Sequence, residues 1–179
     1  MKLRADEQAA PQEVVIREYP YSSRWMDGQK LMGVGNLILT NKRLAFVNRL
    51  PLTKEEAETL QKLATTATTS EMIDFALTLH KINFQIPLSS VVSVKTSLYS
   101  ILPFPRPCLS ISYQTKKTIV QTISFMFTIP LWKAWFQFEI STIKIWERFI
   151  KEALNRRQLT TGKRQTKKTS KNKVSTAQK

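Results

Sequence analysis

The chain has 179 residues, of which 42% are hydrophobic, and a formal net charge of +15. This length suits one domain with appendages, since an average domain has about 100–150 residues. A single cysteine, Cys108, excludes an intrachain disulfide and fits a reducing compartment, with the cytoplasm as the default. The N-terminus lacks the apolar core of a signal peptide, and polar residues interrupt the most apolar stretch, Ile123 to Ile145, so we expect no membrane span.

The positive charge is concentrated at the C-terminal end. Nine of the 28 basic residues lie from Arg156 onward, whereas none of the 13 acidic residues does, so residues 1–155 carry a net charge of only +6. The last segment has no apolar face, and we therefore expect a disordered basic tail over residues 158–179, with a disordered N-terminus over residues 1–12. The candidate binding residues of the tail are Lys163, Arg164, Lys167, Lys168, Lys171 and Lys173.

In chain order, the first predicted element is a strand from Val14 to Tyr19, continuing toward Tyr21, because the segment is rich in β-branched residues. The following segment, residues 22–30, contains turn residues and predicts a loop. That loop would hold Trp25 and Met26 between the cations Arg24 and Lys30.

The strongest structural signal is a β-hairpin between Gly33 and Arg49. Either a two-residue turn at Asn41 and Lys42 or a four-residue turn from Thr40 to Arg43 sets Leu39 opposite Leu44 and Leu37 opposite Phe46. Both choices give one apolar face. Gly33 and Gly35 leave room for a bend or bulge as the first strand enters the sheet.

Residues 52–81 change to helical periodicity. Thr53 and Glu56 form a capping-box pattern that starts a first helix, and Ser70 is placed to cap a second. The sequence therefore predicts a helical hairpin inserted into a β protein.

Strands resume at Ile82–Ile86 and Val91–Leu98. The next segment, YSILPFPRP, has three prolines in five residues and predicts a loop. A final hairpin follows, in which a two-residue turn would put its two apolar sets on opposite faces. The pattern favours the three-residue turn Thr115-Lys116-Lys117, which sets Leu109 opposite Ile123 and Tyr113 opposite Ile119.

The segment from Leu131 to Arg157 predicts an amphipathic helix that closes the domain. Glu147 and Lys151 are spaced for an ion pair on its outer side. Its apolar stripe consists of Phe136, Ile140, Ile143, Trp146, Phe149, Ile150 and Leu154.

Catalysis has little support in the residues. The single histidine, His80, is interpreted as an ordinary, partly exposed side chain, and Cys108 as a buried structural thiol. No glycine-rich phosphate loop and no metal-ligand spacing occurs. We expect no enzymatic activity, no catalytic or metal-binding residues and no cofactor.

The runs GNLILTNKRLAF and INFQIPLSSVVSVK, the strands PCLSISY and ISFMF, and the terminal WERFI together resemble the GRAM and bacterial pleckstrin-homology-like (PH-like) domains. The likeness spans about Val14 to Leu154 apart from the helical insertion. It implies an α+β, mainly β fold over residues 13–157. The expected architecture is a PH-like, two-sheet, partly open barrel of about seven strands, capped by the C-terminal amphipathic helix.

The same resemblance places residues 52–81 as an insertion between the third and fourth strands. In that topology the inserted helices would stand beside Arg24, Lys30, Lys116 and Lys117, covering the open end of the barrel or completing a pocket there. Such a scaffold binds lipid headgroups or peptides, but a shared fold does not fix the ligand.

Three functional hypotheses follow. The first is a membrane-peripheral binding module at the cytoplasmic face, using Arg24, Trp25, Met26, Lys30, Lys116 and Lys117 with the basic tail to bind anionic lipid headgroups. The second is a protein-interaction module that uses the inserted helical hairpin. The third is non-specific nucleic-acid binding through the tail, and a merely solubilising tail stays open as well. The sequence leaves the oligomeric state undefined.

Overall fold

The structure, a computed structural model, describes residues 12–27, 30–49, 51–101, 104–116, 119–127 and 140–157. Its seven strands are β1 (Val15–Asp27), β2 (Lys30–Thr40), β3 (Arg43–Asn48), β4 (Phe84–Pro87), β5 (Val91–Ile101), β6 (Phe104–Lys116) and β7 (Ile119–Phe127). Helices α1 (Lys54–Thr66) and α2 (Thr69–Thr78) lie between β3 and β4, and residues 140–157 form helix α3.

The strands pair in the order β4-β3-β2-β1-β7-β6-β5, and every pairing is antiparallel. The sheet has two halves, one of four strands (β4-β3-β2-β1) and one of three (β7-β6-β5). Strand β1 joins them, because its Ser23–Met26 segment pairs with β2 on one side and with β7 on the other. Within the described residues β4 and β5 do not pair, so the barrel is partly open. The predicted mainly β architecture with an inserted helical hairpin is confirmed.

The β2–β3 hairpin has the predicted short turn and register. Leu39 pairs with Leu44 and Leu37 with Phe46, and all four side chains are buried in the core. Gly35 is required by a close approach of the two strands, since a Cβ there would lie 2.2 Å from the carbonyl oxygen of Val47.

Helix α3 closes the end of the barrel that faces away from the β1–β2 and β6–β7 turns. Trp146 is fully buried and stacks on Phe127, the last residue of β7, with 5.7 Å between ring centroids. The Arg17 guanidinium, near the start of β1, lies 4.7 Å from the centroid of the Phe149 ring. The predicted ion pair between Glu147 and Lys151 is present at 2.6 Å.

The loop predicted over residues 22–30 is wrong, because β1 continues to Asp27. The turn residues Asp27 and Gly28 mark only the end of this strand. Upstream of them, the backbone of Ser23–Met26 has a partner strand on each side. Those two ladders stabilise extended backbone in a segment that was predicted to be a loop from its turn residues.

The loop predicted for YSILPFPRP is also wrong, since β5 and β6 pair through it, with Leu98 opposite Pro107 and Ser100 opposite Pro105. Thr96 donates its backbone N–H to Glu147 of α3 rather than to β6. Because backbone groups alternate in direction along a strand, the backbone N–H groups of Leu98 and Ser100 also point away from β6. Their partners Pro107 and Pro105 therefore occupy positions at which β6 donates no backbone hydrogen bond to β5.

Three boundary predictions are corrected. Thr68, not Ser70, caps α2 and forms a capping box with Glu71. The fourth strand begins at Phe84 rather than Ile82. In the last hairpin Leu109 pairs with Phe125, not with Ile123. A register shift between Gln114 and Lys116, rather than the predicted three-residue turn, brings the apolar residues of the two strands onto one face.

Candidate functional site

The β1–β2 and β6–β7 turns lie at one end of the barrel, opposite α3. Met26 pairs with Ser124, and from this pair β1 runs on to its end at Asp27 while β7 runs back to its start at Ile119. Both chain reversals therefore point the same way. This end, which we call the turn end, holds Lys30 at the start of β2 and Lys116 at the end of β6.

The predicted apolar and cationic loop residues are strand residues instead. Arg24 pairs with Val34 and Met126, Trp25 with Gly33 and Phe125, and Met26 with Leu31 and Ser124. The backbones of these three residues pair with both β2 and β7 and so join the two halves of the barrel, which a loop would not do.

The two turn lysines remain at the turn end. Lys30 pairs with Asp27, and Lys116 pairs with Ile119. Lys117 and the tail residues Lys163, Arg164, Lys167, Lys168, Lys171 and Lys173 lie outside the described residues.

The predicted position of the helical insertion beside the turn end is wrong for α2. The N-terminal part of α2 is attached near the β2–β3 turn, at the opposite end of β3, where Arg43 binds Asp74 and the Ser70 hydroxyl. Ile73 of α2 and Ala45 of β3 are both buried, so α2 packs along the outer face of β3.

Arg43 is the centre of a polar cluster that joins four segments. Its Nε and Nη2 donate to the two carboxylate oxygens of Glu13 at 2.8 and 3.0 Å, and its Nη1 donates to Gln85 at 2.5 Å and to Asp74. The arginine side chain is 10% exposed and that of Glu13 is 2% exposed. This Arg43 cluster ties the N-terminal segment, β3, α2 and β4 into one unit.

The electrostatics of the cluster favour the ionised forms. Burial raises the pKa of Glu13, but hydrogen bonds from Arg43, Thr40 and Ser70 outweigh it and leave that pKa below its usual value. The hydrogen bond from Arg43 lowers the pKa of Asp74. Burial lowers the pKa of Arg43, and its two carboxylate partners more than compensate and raise it.

The TNKR motif serves the same cluster. The Thr40 hydroxyl accepts from the backbone N–H groups of Lys42 and Arg43 and lies 2.8 Å from Glu13. Asn41 receives the N–H of Val14 on its side-chain oxygen at 3.0 Å and donates its amide to the carbonyl of Gln12. The TNKR motif thus anchors the N-terminal segment at the β2–β3 turn.

Helix α1 differs from α2 in its exposure. It begins with the predicted capping box of Thr53 and Glu56, and none of its thirteen residues is buried. Leu60 and Leu63 are only half-buried. Most of the surface of α1 is therefore available for contact.

The side chains of Cys108 and His80, which were considered for catalysis, make hydrogen bonds within the fold. Cys108 is 1% exposed, and its Sγ lies 3.0 Å from the Ser97 hydroxyl. The His80 Nδ1 accepts a hydrogen bond from the N–H of Ile82 at 3.2 Å. Among the residues that the structure describes, no three His, Cys, Asp or Glu side chains come together as metal ligands. Within the same residues, no helix is long and apolar enough to cross a membrane.

Sequence reasoning missed two apolar residues at the turn end. Ile119 was predicted to lie opposite Tyr113 on the apolar face of the last hairpin, and Val120 was given no role, yet their side chains are 51% and 54% exposed. Both belong to the outermost part of the β6–β7 hairpin. Only the register between β7 and β1 reveals that this part extends beyond the barrel, and that register is not encoded locally.

Comparison with known proteins adds little beyond the geometry. No family model and no curated protein matches the chain. Among solved structures, the chain is similar to the Vps36 N-terminal PH domain, with a TM-score of 0.45 and 14% sequence identity. That likeness covers 80% of this chain and 83% of the other.

Proposed function

We propose that the protein is a non-catalytic binding module of the GRAM or PH-like kind that associates with the anionic, cytoplasmic face of a membrane. Anionic lipid headgroups are its partners in this proposal. Contact is made by the turn end of the barrel, through Lys30, Lys116 and Lys117, and is strengthened by the basic tail.

The observation that carries the proposal is the distribution of charge from α3 to the end of the chain. Helix α3 has five basic and two acidic residues, and its Lys144, Arg148 and Lys151 side chains are exposed. The two acidic side chains are already engaged, Glu147 by Lys151 and Glu152 by Arg148. Residues 158–179 add seven basic residues and no acidic one.

This charge is suited to a surface rather than to a single small ligand. Each Lys or Arg close to an anionic membrane contributes about 1 kcal/mol before losses to salt and distance. A segment of 22 residues spans at most about 70–80 Å when fully extended. The tail is therefore long enough to reach a membrane on which the turn end rests, although α3 lies at the other end of the barrel.

Co-sedimentation with vesicles tests the proposal. The full chain, a version ending at Arg157 and a Lys30→Gln/Lys116→Gln variant are compared on phosphatidylcholine vesicles with and without phosphatidylserine, at low and near-physiological salt. Binding that needs phosphatidylserine and weakens in both altered proteins is expected. A full-length chain whose tail cations are replaced by glutamine separates the effect of charge from that of length.

Failure of the full chain to sediment under any condition would refute the membrane proposal. Salt-sensitive binding to duplex DNA of arbitrary sequence, lost with the tail, would then favour the nucleic-acid alternative. The aromatic content gives that alternative no support, since residues 158–179 contain no aromatic side chain for base stacking.

A protein partner on the insertion is the second candidate, favoured by the exposure of α1. Glu55 and Glu58 are exposed in its first two turns and can be replaced by lysine without disturbing a buried contact. Under this alternative, proximity labelling in cells would lose a specific neighbour in the Glu55→Lys/Glu58→Lys variant and keep it in the version ending at Arg157. The membrane proposal predicts the reverse dependence.

A further inference from the structure

The β6–β7 hairpin projects beyond the rest of the turn end. Ser124 of β7 lies opposite Met26 of β1, which is one residue from the end of its strand, whereas β7 begins five residues earlier, at Ile119. The hairpin therefore extends about four residues past the end of β1, or about 13 Å at the usual rise of a strand. Beyond Tyr113 the described residues show β6 and β7 paired only with each other.

The tip of this projection is apolar on both faces. Ile119 and Val120 are consecutive strand residues, so their side chains point to opposite faces of the hairpin. They are 51% and 54% exposed. Single exposed apolar residues are ordinary on protein surfaces. Here two such residues are adjacent in sequence at the outer end of a projecting hairpin, so each face of the tip carries one half-exposed apolar side chain.

A polar band lies directly behind the tip. The hydroxyls of Ser112 and Thr122 are 2.8 Å apart, and the Tyr113 hydroxyl donates to the Gln121 side-chain oxygen at 3.0 Å. Two to three residues separate this band from Ile119, a distance of about 7–10 Å along the strand. That spacing matches the depth of about 5–10 Å to which amphipathic elements enter the boundary between headgroups and acyl chains.

The presence of an exposed apolar side chain on each face of the tip favours a membrane over a folded protein as the partner. The groove of a folded protein offers apolar contact mainly to the face that docks, so it would leave one of the two side chains in water. An apolar medium that surrounds the tip covers both. Lys116, at the end of β6 beside Ile119, and the cations of residues 158–179 complement a negatively charged surface.

We propose that Ile119 and Val120 form a wedge that enters the headgroup–acyl boundary of an anionic membrane, with the Ser112–Thr122 and Tyr113–Gln121 pairs at headgroup level. This inference rests on the membrane function proposed above and identifies the element that penetrates. The tail supplies long-range attraction, and the wedge supplies a contribution that salt does not screen.

The test separates these two contributions. Partitioning onto phosphatidylcholine–phosphatidylserine vesicles is measured across a salt series for the full chain, for Ile119→Ser/Val120→Ser, and for the matched control Val14→Ser/Val15→Ser, whose side chains are 55% and 42% exposed near the start of β1. Removing the two half-exposed side chains should lower the partition coefficient tenfold or more without changing its salt dependence. The control should stay within about threefold.

A depth measurement gives an independent readout. An environment-sensitive fluorophore is attached through Val120→Cys in a Cys108→Ala background, and through Thr122→Cys in the same background for comparison. Quenching by lipids brominated on their acyl chains should be strong at position 120 and weak at position 122.

The outcomes for the wedge and for the membrane proposal differ. If the full chain binds anionic vesicles, but the tip variant binds equally well and position 120 is not quenched, the wedge is refuted and the membrane function stands on charge alone. Absence of vesicle binding by the full chain refutes both.

Discussion

Replacing Arg43 with methionine should lower the free energy of unfolding by about 3–5 kcal/mol, because it leaves the carboxylate of Glu13 buried without its cation. Methionine keeps much of the aliphatic volume of arginine, so the change removes charge and hydrogen bonds more than packing. The expected loss is a large part of the stability of a typical domain, which is about 5–15 kcal/mol.

The magnitude follows from the two carboxylates that Arg43 binds. The Glu13 side chain is 2% exposed, and both of its oxygens receive hydrogen bonds from the arginine, at 2.8 and 3.0 Å. Without Arg43 it keeps the hydrogen bond from the Thr40 hydroxyl, at 2.8 Å, and the one from Ser70, and neither donor is a cation. Asp74 is 55% exposed and can return to water, so its share is about 0.5 kcal/mol.

Urea unfolding of the full chain at pH 7 measures the effect, with Glu13→Gln and the double variant completing a thermodynamic cycle. The double variant should be less destabilised than the sum of the two single ones, since it removes the orphaned charge together with its partner. Arg148→Met is the matched control. Its carboxylate partner, Glu152, is 47% exposed and 3.8 Å away, so a change of about 0.5 kcal/mol or less is expected.

Two results would refute this reasoning. One is an Arg43→Met variant that unfolds at the same urea concentration as Arg148→Met. The other is strict additivity in the cycle, which would mean that Glu13 and Arg43 contribute separately and that the cluster does not couple its segments.

Three further perturbations have defined outcomes. Folding lowers the pKa values of Glu13 and Asp74 from their ordinary values of 4.5 and 3.8. The stability that these two carboxylates contribute to the fold is therefore complete above the ordinary values and is lost as the pH falls through the lower values of the folded state. Urea midpoints measured from pH 6 downward should therefore fall steeply below about pH 4.5 in the unaltered chain and less steeply in the Arg43→Met variant. Gly35→Ala should cost about 1–3 kcal/mol, because its Cβ would meet a backbone carbonyl of β3 at 2.2 Å, and an unchanged thermal midpoint would show that β3 can yield. Glu147→Ala should cost about 1–2 kcal/mol and speed hydrogen exchange at the Thr96 amide, which donates to that carboxylate at 3.0 Å, whereas Glu147→Gln should retain most of the protection.

The sequence predicted elements whose determinants are local. Alternating apolar residues and a short turn gave the Leu39–Leu44 pairing, and the spacing of Thr53 and Glu56 gave the capping box of α1. The stripe containing Trp146 gave α3, whose buried face matches it. In each case the deciding residues lie within a few turns or a few strand positions of one another.

The errors in the two loops, in the position of α2 and at the apolar tip have a different origin, since each depends on contacts with a segment distant in the sequence. The extended backbone at Trp25 is stabilised by β7, and the prolines of β6 are tolerated because β5 needs no donor from them. The N-terminal part of α2 was placed at the wrong end because Arg43 was assigned only to a hairpin, whereas its partners include Glu13 and Asp74. The apolar tip was missed for the same reason, because its exposure depends on the β1–β7 register.

The position of β1 also sets the order in which the barrel can assemble. Strands β2, β3 and β4 and the inserted helices come from one continuous stretch, and β5, β6 and β7 from another, so each set can form from neighbouring segments. The pairing of Ser23 with Phe127 joins nearly the two ends of the domain. On a ribosome, the second half of β1 must therefore remain without its second partner until β7 has emerged, and the two halves of the barrel can unite only after that.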